Sequence, residues 1–123
     1  MSSALYGERI ADHARNPRNR GPLESPDAAE EGTNPLCGDR VRIEIRVRDG
    51  RVEAMRFDAD ACMVTIAAAS ILSELLTGAP VDGAQAVAES DLLAALQTEL
   101  RPSRVNCALL PLQVARRALE TVR

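Results

Sequence analysis

The most regular hydrophobic pattern in the chain is an alternation across residues 40–48. Apolar side chains occupy every second position and charged ones lie between them, which predicts a β-strand with one buried and one solvated face. Asp49-Gly50 follows directly, and this pair supplies the two positive-φ positions of a type I′ turn. We therefore predict a hairpin in which Val47 faces Val52 across the ladder.

The return strand of this hairpin changes its hydrophobic phase. Its first apolar residues have even numbers and its later ones have odd numbers, and one extra residue in a strand produces such a slip. We predict a β-bulge near Ala54 or Met55. We also expect Arg46 to face Glu53 across the ladder, as a pair of opposite charges.

Apolar residues at intervals of three and four predict helices in most of the remaining chain. The predicted helices cover residues 3–15, residues 63–77, one or two segments within residues 82–100, and a last helix from residue 107 to about residue 121. Asn106 is the expected N-cap of the last helix. Pro111 cannot donate a hydrogen bond to the Cys107 carbonyl, which predicts a local kink in that helix.

The segment between the first helix and the first clear strand is rich in proline. Four of the seven prolines lie between residues 17 and 35, so we predict mostly loop with one short edge strand around Leu23. The order of the elements predicts an α+β fold, in which a small antiparallel sheet of about three strands carries an N-terminal helix and C-terminal helices packed on it. We expect residues 1–123 to form a single domain.

The composition excludes several classes of function. The chain has 123 residues and is 46% apolar, but it contains one Tyr, one Phe and no Trp, and its 15 basic and 18 acidic residues are interspersed. General disorder is excluded, and no basic stripe or aromatic platform is available for nucleic acid. No apolar run approaches the roughly 20 residues that span a bilayer, and the start of the chain does not look like a signal peptide. We expect a cytoplasmic protein with no nucleic-acid or membrane partner.

Three cysteines lie at predicted boundaries between elements. Cys37 precedes the first clear strand, Cys62 joins a strand to a helix, and Cys107 begins the last helix. Their odd number argues against a disulfide framework, and no two are close enough in sequence to form a CxxC motif. Each could be a small buried hydrophobe. Any site that these cysteines share must be assembled by folding.

Two of these thiols are expected to ionise more readily than a free cysteine. A helix N-terminus carries unpaired N–H groups and a partial positive charge, which lowers the pKa of a nearby thiol and here affects Cys62 and Cys107. Arg40 and Arg104 could add to this effect.

Three thiolates and the carboxylate of Asp39 would complete a four-coordinate site suited to Zn²⁺, Fe²⁺ or a small iron–sulfur cluster. Carboxylate oxygen is a harder ligand than thiolate and fits iron–sulfide less well, so the bond from Asp39 to the metal would break easily. A site that opens readily suits a protein that donates its metal or cluster better than a protein that carries electrons. Without the cysteines, Asp39 would be an ordinary turn carboxylate.

His13, the only histidine, is expected to be structural.

Four segments, taken in order, are similar to those that characterise one protein family. They are "YGERIADHARNPRNRGPL", "NPLCGDRVRIEIRV", "VEAMRFDADACMVTIAAASILSELLTG" and "RVNCALLPLQVARRAL". Over nearly its whole length the chain resembles the IscU, SufU and NifU N-terminal family of iron–sulfur cluster assembly scaffold proteins.

The resemblance implies that Cys37, Asp39, Cys62 and Cys107 converge at one exposed edge as ligands of a metal or cluster. It implies a scaffold or carrier, not an enzyme, that binds iron and accepts sulfur from a cysteine desulfurase. The scaffold would then pass a transient cluster, usually [2Fe-2S], to apo iron–sulfur recipient proteins. Each cysteine is a candidate persulfide acceptor, Zn²⁺ often occupies such sites in the cluster-free form, and a monomer or weak homo-oligomer is expected.

Several positions differ from the family pattern. Asn106 stands where His or Lys is frequent and offers no imidazole or cationic side chain, so Asp39 becomes more important. Residues 100–104 replace the Leu-Pro-Pro-Val-Lys chaperone-recognition motif of the IscU branch, so a dedicated chaperone is not implied. Ala61 replaces the usual Gly before the second cysteine, and Met63 and Val64 are bulkier than expected. We expect these residues to narrow the pocket.

Two alternatives to the scaffold remain open at this point. The first is a zinc-dependent sulfurtransferase-type persulfide acceptor like SufU, although the chain between Cys62 and Cys107 lacks room for the insertion typical of SufU proteins. The second is a non-catalytic interaction domain stabilised by zinc, which would unfold when its metal is removed.

Overall fold

A three-stranded antiparallel sheet with β2 in the middle forms the centre of the fold. The computed structural model describes residues 6–122. The elements in chain order are α1 (Gly7–Arg15), β1 (Ala28–Asn34), β2 (Asp39–Arg48), β3 (Arg51–Asp60), α2 (Met63–Leu76), α3 (Val81–Gln85), α4 (Glu89–Ala95) and α5 (Pro102–Thr121). The predicted α+β class, with about three strands and helices packed on them, is confirmed.

The hairpin between β2 and β3 forms as its turn sequence predicts. Asp49 and Gly50 have φ values of 53° and 74°, which are the left-handed positions that a type I′ turn needs. Val47 pairs with Val52, and this part of the predicted register is confirmed.

The predicted bulge is present, one residue earlier than expected. The register shifts between Arg46 and Val47, so Glu53 has no backbone partner and Arg46 pairs with Ala54 instead. The expected pairing of Arg46 with Glu53 is therefore wrong for the backbone, although their side chains still form an ion pair with Nε and Oε1 3.0 Å apart. The extra residue allows both Val52 and Met55 to face the core.

The edge strand predicted around Leu23 is wrong. The edge strand that precedes β2 in the chain is β1, which pairs with β2 from Ala28 opposite Ile45 to Asn34 opposite Asp39. Its sequence AAEEGTN has one β-branched residue, Thr33, and no aromatic residue, and the strand is held by packing against α5.

The helices cover the apolar face of the sheet, and α1 packs against α2. The largest fully buried side chains are Phe57, Ile10, Ile43, Ile45, Met55, Ile71, Leu72, Leu76, Leu92, Leu96, Leu112 and Leu119. The predicted helix over residues 63–77 is confirmed as α2, and the segment 82–100 forms the two helices α3 and α4. The predicted start of the first helix, at residues 3–5, lies outside the described residues. Within residues 6–122, no helix is long and apolar enough to cross a membrane.

The last helix begins five residues earlier than predicted. It begins at Pro102, with Arg101 as N-cap, because the fixed φ of proline suits the first helical position and its missing N–H needs no partner there. Cys107 and Asn106 therefore lie inside α5, and Asn106 is not an N-cap.

His13 belongs to a buried polar network that joins α1 to α2. Its Nδ1 lies 2.7 Å from Ser70 Oγ, which also accepts a hydrogen bond from the Arg18 backbone N–H at 2.8 Å. Its Nε2 lies 3.7 Å from the Glu74 carboxylate. Burial, reinforced by nearby Arg18, lowers the pKa of His13. The contacts of this ring are structural.

We predict that the contact between β1 and α5 depends on Gly32. A Cβ at this position would lie 2.6 Å from Val114 Cγ2, and Val114 is fully buried, so the surrounding core would have to shift. Gly32→Ala should lower the free energy of unfolding by about 1–3 kcal/mol, as overpacking does elsewhere. Chemical denaturation followed by circular dichroism measures the change.

Gly83→Ala is the matched control for this prediction. Its Cβ would lie 3.6 Å from Pro80, which is ordinary contact, and the position is helical. Alanine there should be neutral or stabilise by up to about 1 kcal/mol. Equal effects of the two substitutions would contradict the predicted close packing.

Candidate metal centre

A tight turn between β1 and β2 places Cys37 beside Asp39. The Asn34 carbonyl accepts hydrogen bonds from the backbone N–H of Gly38 at 2.8 Å and of Cys37 at 3.3 Å. Gly38 has a φ of 73°, which few other residues adopt without strain. As a result Cys37 lies exposed on the turn, while Asp39 enters the strand and is buried.

Asp39 is bound through both carboxylate oxygens to the N-terminus of α2. Its Oδ1 accepts a hydrogen bond from the Cys62 backbone N–H at 3.0 Å, and its Oδ2 accepts one from the Thr65 hydroxyl at 2.6 Å. Burial opposes ionisation of this carboxyl, but the hydrogen bonds from Thr65, Cys37 and Cys62 outweigh it and hold the pKa of Asp39 below its usual range. The carboxyl group is therefore ionised and available as a ligand.

Cys62 lies at the junction between β3 and α2, as predicted. It is the N-cap residue of α2 by position, but its own side chain makes no cap hydrogen bond. Its Sγ lies 3.6 Å from Asp39 Oδ2 and is partly exposed to solvent. The capping role belongs to the carboxylate of Asp39, which leaves the Cys62 thiol free to face the centre.

Cys107 lies in the second turn of α5 and is buried. Its Sγ lies 3.3 Å from Cys37 Sγ. Burial, followed by the Cys37 and Cys62 thiols, raises the pKa of Cys107 to about 12. The expectation that Cys107 ionises readily at a helix N-terminus is wrong, because α5 begins a full turn earlier and the thiol is enclosed.

The two arginines proposed to favour thiolates differ in their positions. Arg104 lowers the pKa of Cys107, but burial outweighs it. Arg40 points to the outer face of the sheet, where its Nη1 lies 3.1 Å from Glu31 Oε1. It is thus paired with a carboxylate and not with a thiol.

The fold brings three of the four predicted ligands into one cluster. The ligand atoms of Cys37, Asp39 and Cys107 all lie within 4.8 Å of one another. Cys62 is outside this group but touches it through Asp39. Sulfur atoms bound to one zinc ion at about 2.3 Å are roughly 3.8 Å apart, so small side-chain adjustments suffice for a shared metal ion. The donor set of thiols and one carboxylate fits Zn²⁺ or Fe²⁺.

Sequence reasoning missed Thr65 as a member of this centre. Thr65 is fully buried, and its Oγ1 lies 3.5 Å from Cys62 Sγ and 3.2 Å from the Cys107 carbonyl. Its position three residues after the N-cap is where a capping box places a polar side chain, and this spacing could have revealed it.

An open cavity of about 330 Å³ lies beside the centre. Its lining includes Leu36, Cys37, Arg101, Asn106 and Cys107. The side chain of Leu36 is 91% exposed at the rim. The cavity gives solutes access to the Cys37 thiol. Asn106, which stands where His or Lys is frequent in the family, places a neutral amide in the cavity wall.

We predict that the thiols differ sharply in reactivity when metal is removed with a chelator. The thiolate is the reactive form, so alkylation of Cys107 by iodoacetamide should rise about tenfold per pH unit and continue to rise above pH 9. Exposed Cys37 should be modified first. Peptide mass spectrometry at a series of pH values measures both rates, and Cys107→Ser identifies the slow site. A Cys107 rate that reaches a plateau below pH 9 would contradict the raised pKa.

Comparison with known proteins places the chain in a family. The sequence profile described as "NifU-like N terminal domain" matches residues 5–123. The chain is 36% identical over 110 residues to the iron–sulfur cluster assembly scaffold protein IscU of Escherichia coli, covering 85% of this chain and 84% of that protein. It is 32% identical over 115 residues to IscU 1 of Archaeoglobus fulgidus, covering 94% and 74%. It is 39% identical over 116 residues to the bifunctional protein NifU/MnmA of Rubrobacter xylanophilus, but spans only 24% of that protein.

Two crystal structures show the same fold. One is a putative iron–sulfur cluster assembly scaffold protein for the SUF system from Fervidobacterium islandicum, with a TM-score of 0.83, 24% identity and coverage of 97% of this chain and 99% of that one. The other is the N-terminal part of a NifU-like protein from Brucella abortus, with a TM-score of 0.78, 21% identity and coverage of 98% and 96%. With the profile match over residues 5–123, these findings establish that the chain belongs to the NifU-like N-terminal domain family.

Proposed function

We propose that the protein is an iron–sulfur cluster assembly scaffold. Iron and sulfide are its cargo, held by Cys37, Asp39, Cys62 and Cys107, and the whole chain of residues 1–123 acts as one scaffold domain. It takes sulfur from a cysteine desulfurase and delivers a transient cluster, of the [2Fe-2S] type, to apo-proteins. The observation that carries this proposal is the convergence of two thiols and a carboxylate within 4.8 Å in a chain similar to IscU scaffolds.

The geometry supports loading from solvent and ready release. Cys37 is exposed beside an open cavity, so a sulfur donor can reach it. Cys107 is buried and protonated in the metal-free protein, so it becomes a ligand only when a metal displaces its proton. Asp39 has partners on α2 to which it can return when it leaves the cargo. Together these features favour reversible binding of iron and sulfide over their permanent storage.

Anaerobic reconstitution tests the proposed function. The protein is incubated with Fe²⁺, L-cysteine, a cysteine desulfurase and dithiothreitol, which reduces the persulfide sulfur to sulfide. We expect visible absorption of a cluster that then transfers to an apo-ferredoxin. Cys37→Ser is the loss-of-ligand control and should hold little cluster. No cluster under these conditions would contradict the scaffold function. Faster desulfurase turnover without a cluster would favour the alternative, a zinc-dependent persulfide acceptor.

We predict that Asp39→Ala gives the reconstituted cluster a longer lifetime. The reason is that the variant lacks the carboxylate ligand that releases the cluster by returning to its hydrogen-bond partners on α2. The half-life of the visible absorption in the presence of apo-ferredoxin measures this. The substitution also removes a helix cap, so the free energy of unfolding should fall by about 0.5–2 kcal/mol.

Asp60→Ala is the matched control, since Asp60 is exposed at the end of β3 and opposite Arg40. It should leave the cluster half-life unchanged. Faster cluster loss from Asp39→Ala than from the wild type would mean that Asp39 is not the ligand that is released first.

A further inference from the structure

The Thr65 hydroxyl has one proton and two oxygen acceptors within reach, besides the weaker sulfur acceptor of Cys62 at 3.5 Å. Its Oγ1 lies 2.6 Å from Asp39 Oδ2 and 3.2 Å from the Cys107 carbonyl oxygen. Thr65 is fully buried, so water cannot take the place of either acceptor. In the described structure the shorter contact identifies Asp39 as the acceptor that is bound more strongly.

The second acceptor is available because of Pro111. Residue 111 would normally donate its backbone N–H to the carbonyl four residues earlier, but proline has none, so the Cys107 carbonyl lacks its helical donor. A buried carbonyl without a partner costs free energy, and Thr65 is the side-chain donor that approaches it. The kink predicted from Pro111 remains a prediction, but the freed carbonyl has a partner in the centre itself.

We propose that Thr65 is the positioning residue that controls how readily Asp39 binds the metal. In the metal-free protein the hydroxyl donates to Asp39 and holds the carboxylate against α2. When Asp39 ligates a metal with Cys37 and Cys107, the hydroxyl turns its proton to the Cys107 carbonyl. This inference rests on the proposed function only in taking Asp39 as a ligand.

The two hydrogen bonds that Thr65 can donate differ in strength. A bond to a carboxylate is roughly twice as strong as one between neutral groups, so Thr65 favours the metal-free position of Asp39. The carbonyl limits this preference, because without it the buried hydroxyl would have only the weak sulfur acceptor of Cys62 when Asp39 binds a metal. Thr65 therefore weakens metal binding moderately and assists release.

Co²⁺ binding to the chelator-treated protein tests the proposal at fixed pH without any cluster chemistry. Thr65→Val and Thr65→Ala both lack the hydroxyl and should bind Co²⁺ more tightly, by roughly fivefold. Thr65→Ser keeps the hydroxyl and should restore wild-type affinity. Titration against a competing chelator, followed by the thiolate-to-cobalt absorption band, measures the affinity. Thr77→Val is the matched control, because it removes the hydroxyl of the α2 C-cap residue, which donates to the Ser73 carbonyl away from the centre.

The decisive comparison is made in the Asp39→Ala background. Because Thr65 acts through Asp39, removing its hydroxyl there should change Co²⁺ affinity no further. An equal change in both backgrounds, or no change in the presence of Asp39, overturns the proposal. Cluster transfer from Thr65→Val should also be slower than from the wild type. Failure of the wild type to form any cluster would contradict the proposed scaffold function, but the Co²⁺ series would still decide the role of Thr65.

Discussion

The centre depends on one buried carboxylate that belongs to a strand but caps a helix. Asp39 enters β2 from the turn and accepts hydrogen bonds from the backbone of Cys62 and the hydroxyl of Thr65, both at the start of α2. An ionised carboxylate is favoured at a helix N-terminus, where unpaired N–H groups and the helix dipole stabilise it. This contact fixes the position of α2 relative to β2, and through Thr65 it extends to the Cys107 carbonyl in α5.

The same contact explains why the predicted ligands behave differently. Burial would protonate both Asp39 and Cys107, but only Asp39 has enough hydrogen-bond donors to stay charged. Cys107 keeps its proton until a cation arrives, and binding must therefore release that proton. Metal affinity should rise with pH for this reason. The site combines an exposed thiol, a buried thiol and a charged carboxylate, so its three candidate ligands differ in access to solvent and in charge.

Local sequence patterns predicted the elements whose causes are local. Asp49-Gly50 specifies the turn of the hairpin, and the apolar alternation of β2 specifies its buried face. The edge strand β1 was placed wrongly because its residues are weak strand formers that are held by α5. The start of α5 was placed wrongly because Asn106 is a suitable N-cap residue in the sequence, whereas the helix begins earlier, with Pro102 at its first position.

The sequence by itself determined the four candidate ligands, the α+β class and the family, since ligand type and periodicity are properties of the residues. Only the tertiary structure decided which ligands meet. It placed Cys37, Asp39 and Cys107 together and left Cys62 at the margin, raised the pKa of Cys107, and brought Thr65 into the centre. Burial and hydrogen bonds between β2, α2 and α5 decide these properties, and they arise from contacts between residues that are distant in sequence.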